Sequence, residues 1–193
     1  DIPVDYNKEV DFSSYVSNAL AANPDVMFVG GPSQPTAMVI KEARQQGFEG
    51  GFIIMDQAKM DQIIQYIDLK DLEGAIGVTP LEYYPSDGVG PFIEMFKAKY
   101  DGKMPTWEGS KNYDHMMLLA RGIEKAGVVD DPAKILEGMR AVCPYDGKAT
   151  GDVITTVIPG IAEGGGSMTP GAGIMVENGQ FGEHFGIDNP AAK

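Results

Sequence analysis

Several things that bond-making chemistry needs are scarce in this chain. It holds one cysteine, Cys143, which excludes an internal disulfide and any cysteine-built zinc site. That thiol stands beside Pro144 with no base near it in sequence, so an inert role is expected. The two histidines, His115 and His184, fall in a helix and in a glycine-rich tail, with no spacing that suggests a metal pair, and a surface or packing role is expected of each. Gly164-Gly165-Gly166 lacks the Lys-Ser/Thr ending of a phosphate loop. These gaps predict no catalytic residues, no metal and no cofactor, hence no enzyme. Basic residues are scarce too: 15 Lys and Arg face 28 Asp and Glu, a net charge of −13. Nucleic acid requires a basic surface, so it is not an expected partner, and anionic lipid is disfavoured for the same reason. No apolar run reaches the ~20 residues of a membrane span. The opening Asp1-Ile2-Pro3-Val4-Asp5-Tyr6 has neither a signal-peptide pattern nor an initiator methionine, which predicts a mature protein or a fragment.

What is present is enough apolar material for a core, 43% of residues against 22% charged, in one domain or two small lobes. The first passage to read clearly runs from Asp11 to Gly31. Phe12, Tyr15, Val16, Ala19 and Leu20 have helical spacing behind an N-cap at Asp11. Asn23-Pro24 stops the helix, and Asp25 to Val29 reads as a buried strand opening onto Gly30-Gly31. Pro32 to Pro35 then leads into a helix with Val39, Ile40 and Ala43 inward, closed at Gly47. Phe52 to Met55 is a second strand ending on Asp56-Gln57, Met60 to Ile67 a helical stripe, and Ala75 to Thr79 a third strand. This alternation predicts a parallel sheet with right-handed crossovers, covered on both faces. In such sheets ligands sit outside the C-terminal ends of the strands, which directs attention to Gly30-Gly31 and Asp56-Gln57.

Beyond Pro80 the pattern changes. Phe92, Phe96 and Tyr100 mark a helix closed by Gly102. Tyr113 to Ala126 is periodic through Met116, Met117, Ala120 and Ile123, closed by Gly127. Asp131-Pro132 is an N-cap followed by a first-turn proline, opening a helix to Arg140. Consecutive helices without a strand between them suggest a different lobe. The tail is β-like, with Val153 to Ile158 as strand material and Asn178-Gly179 as a hairpin turn between Ile174–Glu177 and Gln180-Phe181. Glu163 to Ser167 reads as a flexible loop.

The order and local wording of these elements resemble the type-I periplasmic solute-binding proteins of ABC importers, in particular the branched-chain amino acid (Leu/Ile/Val) binding family. The resemblance is carried by Asp11-Phe12-Ser13, by Asn23-Pro24-Asp25 with its strand and Gly30-Gly31, and by Ala43-Arg44-Gln45-Gln46-Gly47. Further along it rests on Phe96 to Tyr100, Tyr113-Asp114 and Glu124-Lys125-Ala126-Gly127. Members of that family have roughly twice this length, and the chain looks like their C-terminal portion. The resemblance implies an α/β fold of the periplasmic binding protein type-I kind, partial in its two lobes, with a C-terminal hairpin. Residues 1–79 would be lobe 2, 80–146 a helical part of lobe 1, and 147–193 return strands and a hairpin associated with lobe 2. It also implies a periplasmic (or lipid-anchored extracellular) protein that takes an amino acid-like ligand between lobes and delivers it to the membrane permease of an ABC importer. A ligand-sensing regulatory or receptor module of the same fold is the alternative, and a small flavodoxin-like enzyme domain a third.

The resemblance also implies site residues. Asp56 aligns with the family's acidic residue that receives the ligand's ammonium group, a charge-assisted hydrogen bond suited to a strand end in a cleft. An N-cap for the following helix is the competing role. Gly31, Pro32 and Ser33 align with a ligand loop in which the family often carries an aromatic. Glycine permits close backbone approach, and Ser33 offers a hydroxyl; a plain loop before a helix is the competing role. Gln57 follows Asp56 on the same loop. Trp107 and Glu108 lie where relatives place a contact to the ligand tail, against the alternatives of a packed aromatic and a solvated charge. Tyr113 is expected in the core.

Overall fold

The computed structural model describes residues 1–55, 57–84, 86–158, 166–167 and 171–187. In chain order the elements are α1 (Ser13–Leu20), β1 (Val26–Val29), α2 (Ser33–Gln45), β2 (Gly51–Ile54), α3 (Met60–Ile63) and β3 (Ala75–Val78). Then come α4 (Val89–Lys99), α5 (Trp107–Ala126), α6 (Pro132–Ala141), β4 (Tyr145–Asp146), β5 (Val153–Ile154), β6 (Val157–Ile158) and β7 (Gly166–Ser167). The last two strands are β8 (Gly171–Glu177) and β9 (Gln180–Ile187). The chain divides into two compact units, one built from Asp1–Pro80 with Ala172–Phe185, the other beginning at Leu81 and running to Gly171.

The first unit is an α/β layer structure. Its sheet has the order β1-β2-β3-β8-β9. β1, β2 and β3 run parallel, as their alternation with helices requires, and β8 joins β3 antiparallel. Asn178 (φ 56°) and Gly179 (φ 67°) form the turn between β8 and β9; two consecutive left-handed residues match the twist of a two-residue hairpin. Glu73 fastens that turn by accepting the N–H groups of Asn178 (3.0 Å) and Gly179 (2.9 Å).

Val29, Phe52, Ile54, Ala75, Ile174 and Val176 line one face of the sheet, packed with Ala37, Ile40 and Ala43 of α2, Met60 and Ile63 of α3, and Phe12 and Val16 beside α1. The Arg44 guanidinium closes the end of this core. It donates to the carbonyls of Phe48 (2.6 Å), Gly50 (2.9 Å), Asp71 (3.0 Å) and Glu73 (2.6 Å) and lies 4.7 Å from the Phe52 ring centroid. One planar cation thereby satisfies four backbone acceptors that no ladder reaches.

Two expectations need correcting here. The expected cover on both faces exists on one face only among the described residues: Val26, Phe28, Ile53 and Met55 on the other are exposed. The exposure belongs to the face and not to the edge, since Ile53 lies on β2, an interior strand of the sheet. The Met60–Ile67 helix shortens to one turn, α3, after which Ile64 turns outward while Ile67 stays buried.

The second unit is helical. Asp131 caps α6 by accepting the Lys134 N–H (3.2 Å), with Pro132 in the first turn as expected. α5 begins two turns earlier than its apolar periodicity announces, because Thr106 Oγ1 accepts the Gly109 N–H (3.1 Å) and caps it. Its buried stripe is Ser110, Asp114, Leu118 and Gly122, whereas Met116 is 63% exposed. Gly122 faces Met139 and Gly138 on α6, with no room for a Cβ on either glycine. Small residues let these helix backbones approach closely, and a methionine stripe would have held them apart.

Asp114 organises the residues after Gly147. Its buried carboxylate accepts the N–H groups of Lys148 (2.6 Å), Ala149 (2.8 Å) and Thr150 (2.9 Å) and the Thr150 hydroxyl (2.8 Å). Residues 147–152 thus turn back on α5, and β4 pairs with β5 antiparallel. The expected strand over Val153 to Ile158 is split into β5 and β6, of which β6 pairs with β7.

Candidate functional site

Parallel pairing aligns the C-terminal ends of β1 and β2. Val29 is in register with Ile54, and the Met55 N–H donates to the Val29 carbonyl at 3.1 Å. The chain therefore leaves both strands at the same end of the sheet, through Gly30 to Ser33 and through Met55 to Lys59. These are the adjacent loops expected to wall a crevice.

The first loop is held from α2. Thr36 Oγ1 donates to the Gly31 carbonyl (3.2 Å), and the Thr36 N–H to the Pro32 carbonyl (3.1 Å). Gly31 has φ +149°, where a side chain is strained, and the space around its Cα reaches Thr36 and the Tyr6 ring. Gly31 is buried and Pro32 exposed at the loop's crest.

Ser33 ties the two loops together. Its hydroxyl accepts the Lys59 N–H at 3.0 Å and donates to Gln62 Oε1 at 2.9 Å. A hydroxyl has one proton and two lone pairs, so among the described residues one acceptor position remains for another group. Ser33 acts as a brace between the start of α2 and the start of α3. Neither Lys59 nor Gln62 figured among the expected site residues, because partners 26 and 29 positions away leave no mark on local spacing. On the second loop Gln57 is exposed, and Asp56 lies outside the described residues. Burial pushes the Asp61 carboxyl, in the first turn of α3, above its ordinary range.

A groove of about 770 Å³ adjoins the first loop. It is lined by Ile2, Val4 and Tyr6, by Tyr15 of α1, and by β1 with its Gly30-Gly31 end. Its lining includes neither Pro32, Ser33 nor Gln57. The groove and the loop crests are therefore different places on the same unit.

Glu108 belongs to the second unit, half-buried in the first turn of α5. Beside it the Trp107 ring packs at 4.6 Å on Tyr84, and Lys111 Nζ stands 4.6 Å from the Trp107 ring centroid. The Tyr84 hydroxyl donates to Asp152 (2.9 and 2.8 Å), and Lys111 forms an ion pair with the same carboxylate. Burial, then Asp152, push the Tyr84 phenol far above its usual range, so it stays protonated. Trp107 is a packed aromatic in a satisfied polar cluster. His115 and Cys143 are half-buried, and burial raises the Cys143 thiol. Of the Gly164-Gly165-Gly166 run, the first two residues lie outside the described set. Among the described residues, no group of three His, Cys, Asp or Glu side chains is arranged to hold a metal ion.

The sequence profile of the family described as periplasmic binding protein matches residues 1–162. Among curated proteins none matches. Among solved structures, a leucine binding protein, LivK, of Thermotoga maritima is similar at 27% identity and a TM-score of 0.71, over 96% of this chain and 51% of that one. The branched-chain amino acid transporter substrate binding protein LivJ of Streptococcus pneumoniae, solved in complex with isoleucine, shares the fold at 14% identity and a TM-score of 0.68, over 93% and 49%. A branched chain amino acid ABC transporter periplasmic ligand-binding protein of Burkholderia xenovorans does so at 20% and 0.68, over 94% and 48%. The chain thus spans about half the length of these relatives. No helix among the described residues is long and apolar enough to cross a membrane.

Proposed function

The chain belongs to the periplasmic binding protein family, and from that premise we propose that it is part of an extracytoplasmic carrier for an amino acid-like solute. In this reading it is not an enzyme. The protein captures the ligand between two lobes and hands it to the membrane permease of an ABC importer. The observation that carries the reading is the pair of loops leaving the aligned ends of β1 and β2, cross-tied through Ser33. Loops at strand ends, one of which carries an acidic residue in its sequence, suit a zwitterion in this reading: N–H donors meet the ligand's carboxylate, and an acidic side chain meets its ammonium.

Asp56 is the ammonium acceptor in this proposal, with Gly31 offering its backbone N–H, Pro32, which has no N–H to donate, an apolar contact, and Gln57 a side-chain amide. Ser33 contributes its remaining lone pair and the rigidity of its bridge. Release to a permease requires the ligand to favour one conformation over another, since equal affinity shifts no equilibrium.

Calorimetric titration of the gene product with leucine, isoleucine and valine tests this. Asp56→Asn is expected to weaken binding by roughly 10- to 100-fold, the value of one charge-assisted bond. Unchanged affinity in that variant removes Asp56 from the site, and no heat with any of the three removes the branched-chain reading. The relative from Thermotoga maritima, a leucine binding protein at 27% identity, is the reason to begin with leucine.

A further inference from the structure

Tyr6 is an aromatic that takes no part in the apolar core. It is 43% exposed and precedes α1 in a segment that is neither helix nor strand. The turn that carries it is densely bonded. Lys8 and Glu9 both donate their N–H groups to the Asp5 carbonyl at 3.0 Å, and the Asn7 N–H donates to Asp5 Oδ1 at 3.2 Å. Lys8 Nζ lies 3.0 Å from the Asp5 carboxylate. The Tyr15 hydroxyl donates to Glu9 at 3.0 Å, which ties the turn to α1. A ring on so restrained a turn loses little freedom when another group packs on it.

The ring also reaches the first loop. A Cβ built on Gly31 would stand 3.9 Å from Tyr6 Cδ1 and 3.6 Å from Thr36 Oγ1. Gly31 therefore has its carbonyl held by Thr36 and its α-carbon beside an aromatic edge. Tyr6 lines the groove together with Gly30 and Gly31, so the ring stands where the groove meets the loop.

Resting on the carrier reading, we infer that Tyr6 is a specificity-determining residue of the site. Its ring is the apolar wall against which the side chain of an amino acid bound at Gly31 packs. In the bound amino acid the carboxylate is joined directly to Cα. A carboxylate received by the Gly31 N–H therefore brings the substituent on Cα within reach of the ring. The ring offers apolar area and no charge, so it favours a bulky apolar side chain over a small or acidic one. Gly31 itself, at φ +149°, would be strained by a side chain, and its Cβ would stand in the space beside the ring.

Calorimetric titration of the complete gene product tests this in the parent, Tyr6→Phe and Tyr6→Ala, with leucine as ligand and alanine as its competitor. Tyr6→Ala is expected to weaken leucine binding by roughly 5- to 20-fold, the effect of removing roughly 40–70 Å² of apolar contact. Tyr6→Phe is expected to stay within about 2-fold of the parent, because the ring remains. The preference for leucine over alanine should narrow in Tyr6→Ala, since a methyl group offers the ring little to pack on. Unchanged leucine affinity in Tyr6→Ala overturns the inference and leaves the carrier reading standing. An equal loss in both variants assigns the effect to the phenol hydroxyl and overturns it. A weakened leucine affinity with the preference over alanine unaltered makes the ring a support for the loop and overturns it as well. A parent that binds neither leucine nor alanine overturns it together with the branched-chain reading.

Discussion

The two units solve the burial of backbone polar groups in opposite ways. In the first, the cation Arg44 gathers four carbonyls around the end of an apolar sheet core. In the second, the anion Asp114 gathers three N–H groups and a hydroxyl where helix and loop meet. A sheet core leaves acceptors unpaired at strand ends and turns, and a tight loop leaves donors unpaired; each unit supplies the charge of the sign it lacks. Stability in the first unit is therefore shared with a hydrophobic layer. In the second, one side chain holds a larger share.

Removing each anchor breaks the comparison open. Asp114→Ala is expected to have the largest effect, roughly 4 kcal/mol, because it strands several buried donors at once. Hydrogen exchange at Lys148, Ala149 and Thr150 is the direct measure, since two units need not unfold in one step. Arg44→Met is expected to cost roughly 2–3 kcal/mol, cushioned because its apolar stem still covers Phe48 and Phe52 and the carbonyls lie near water. Denaturant unfolding followed at first-unit amides reads it. An Arg44 loss equal to the Asp114 loss would erase the distinction.

The smallest effect sharpens the comparison through pH. Glu73 has its pKa lowered, first by the Gly179 N–H and then by that of Asn178. Its support is therefore present above the ordinary carboxylate range and lost as pH falls through the lower folded value. Tyr84 has its pKa raised, chiefly by burial, so its support is present below about pH 10 and lost as pH rises further. The first unit is expected to loosen at its hairpin in acid and the second at its aromatic cluster in alkali. Glu73→Gln should flatten the acid response of the Asn178 and Gly179 amides, and Tyr84→Phe the alkaline response of Trp107 emission. Identical responses in the parent and these variants would remove both groups from the account.

Local signals were legible where the chain's own neighbours decide the structure. The β1–α2–β2 alternation, the Asp131-Pro132 helix start and the Asn178-Gly179 turn could all be read from spacing. So could the adjacency of two loops at strand ends, because parallel pairing follows from alternation. Long-range choices were hidden. The stripe at Met116, Met117 and Ala120 looked inward, yet Gly122 and Gly138 decided how α5 and α6 meet, and the value of a small residue depends on its partner. Val26 and Phe28 looked buried because apolar composition does not reveal which face of a sheet goes uncovered. Ser33 read as an open hydroxyl until Lys59 and Gln62 occupied most of its capacity.

Trp107 is the chain's single tryptophan, and it stacks on Tyr84 beneath the Lys111 ammonium in the second unit. Emission excited at wavelengths that indole alone absorbs, which leaves the eight tyrosines dark, is consequently a one-channel signal. It reports the ammonium–indole contact and the phenol beside it, and it is blind to melting of the sheet that carries β1. A flat emission trace on heating would thus certify half of the polypeptide, and the β-layer needs its own optical label.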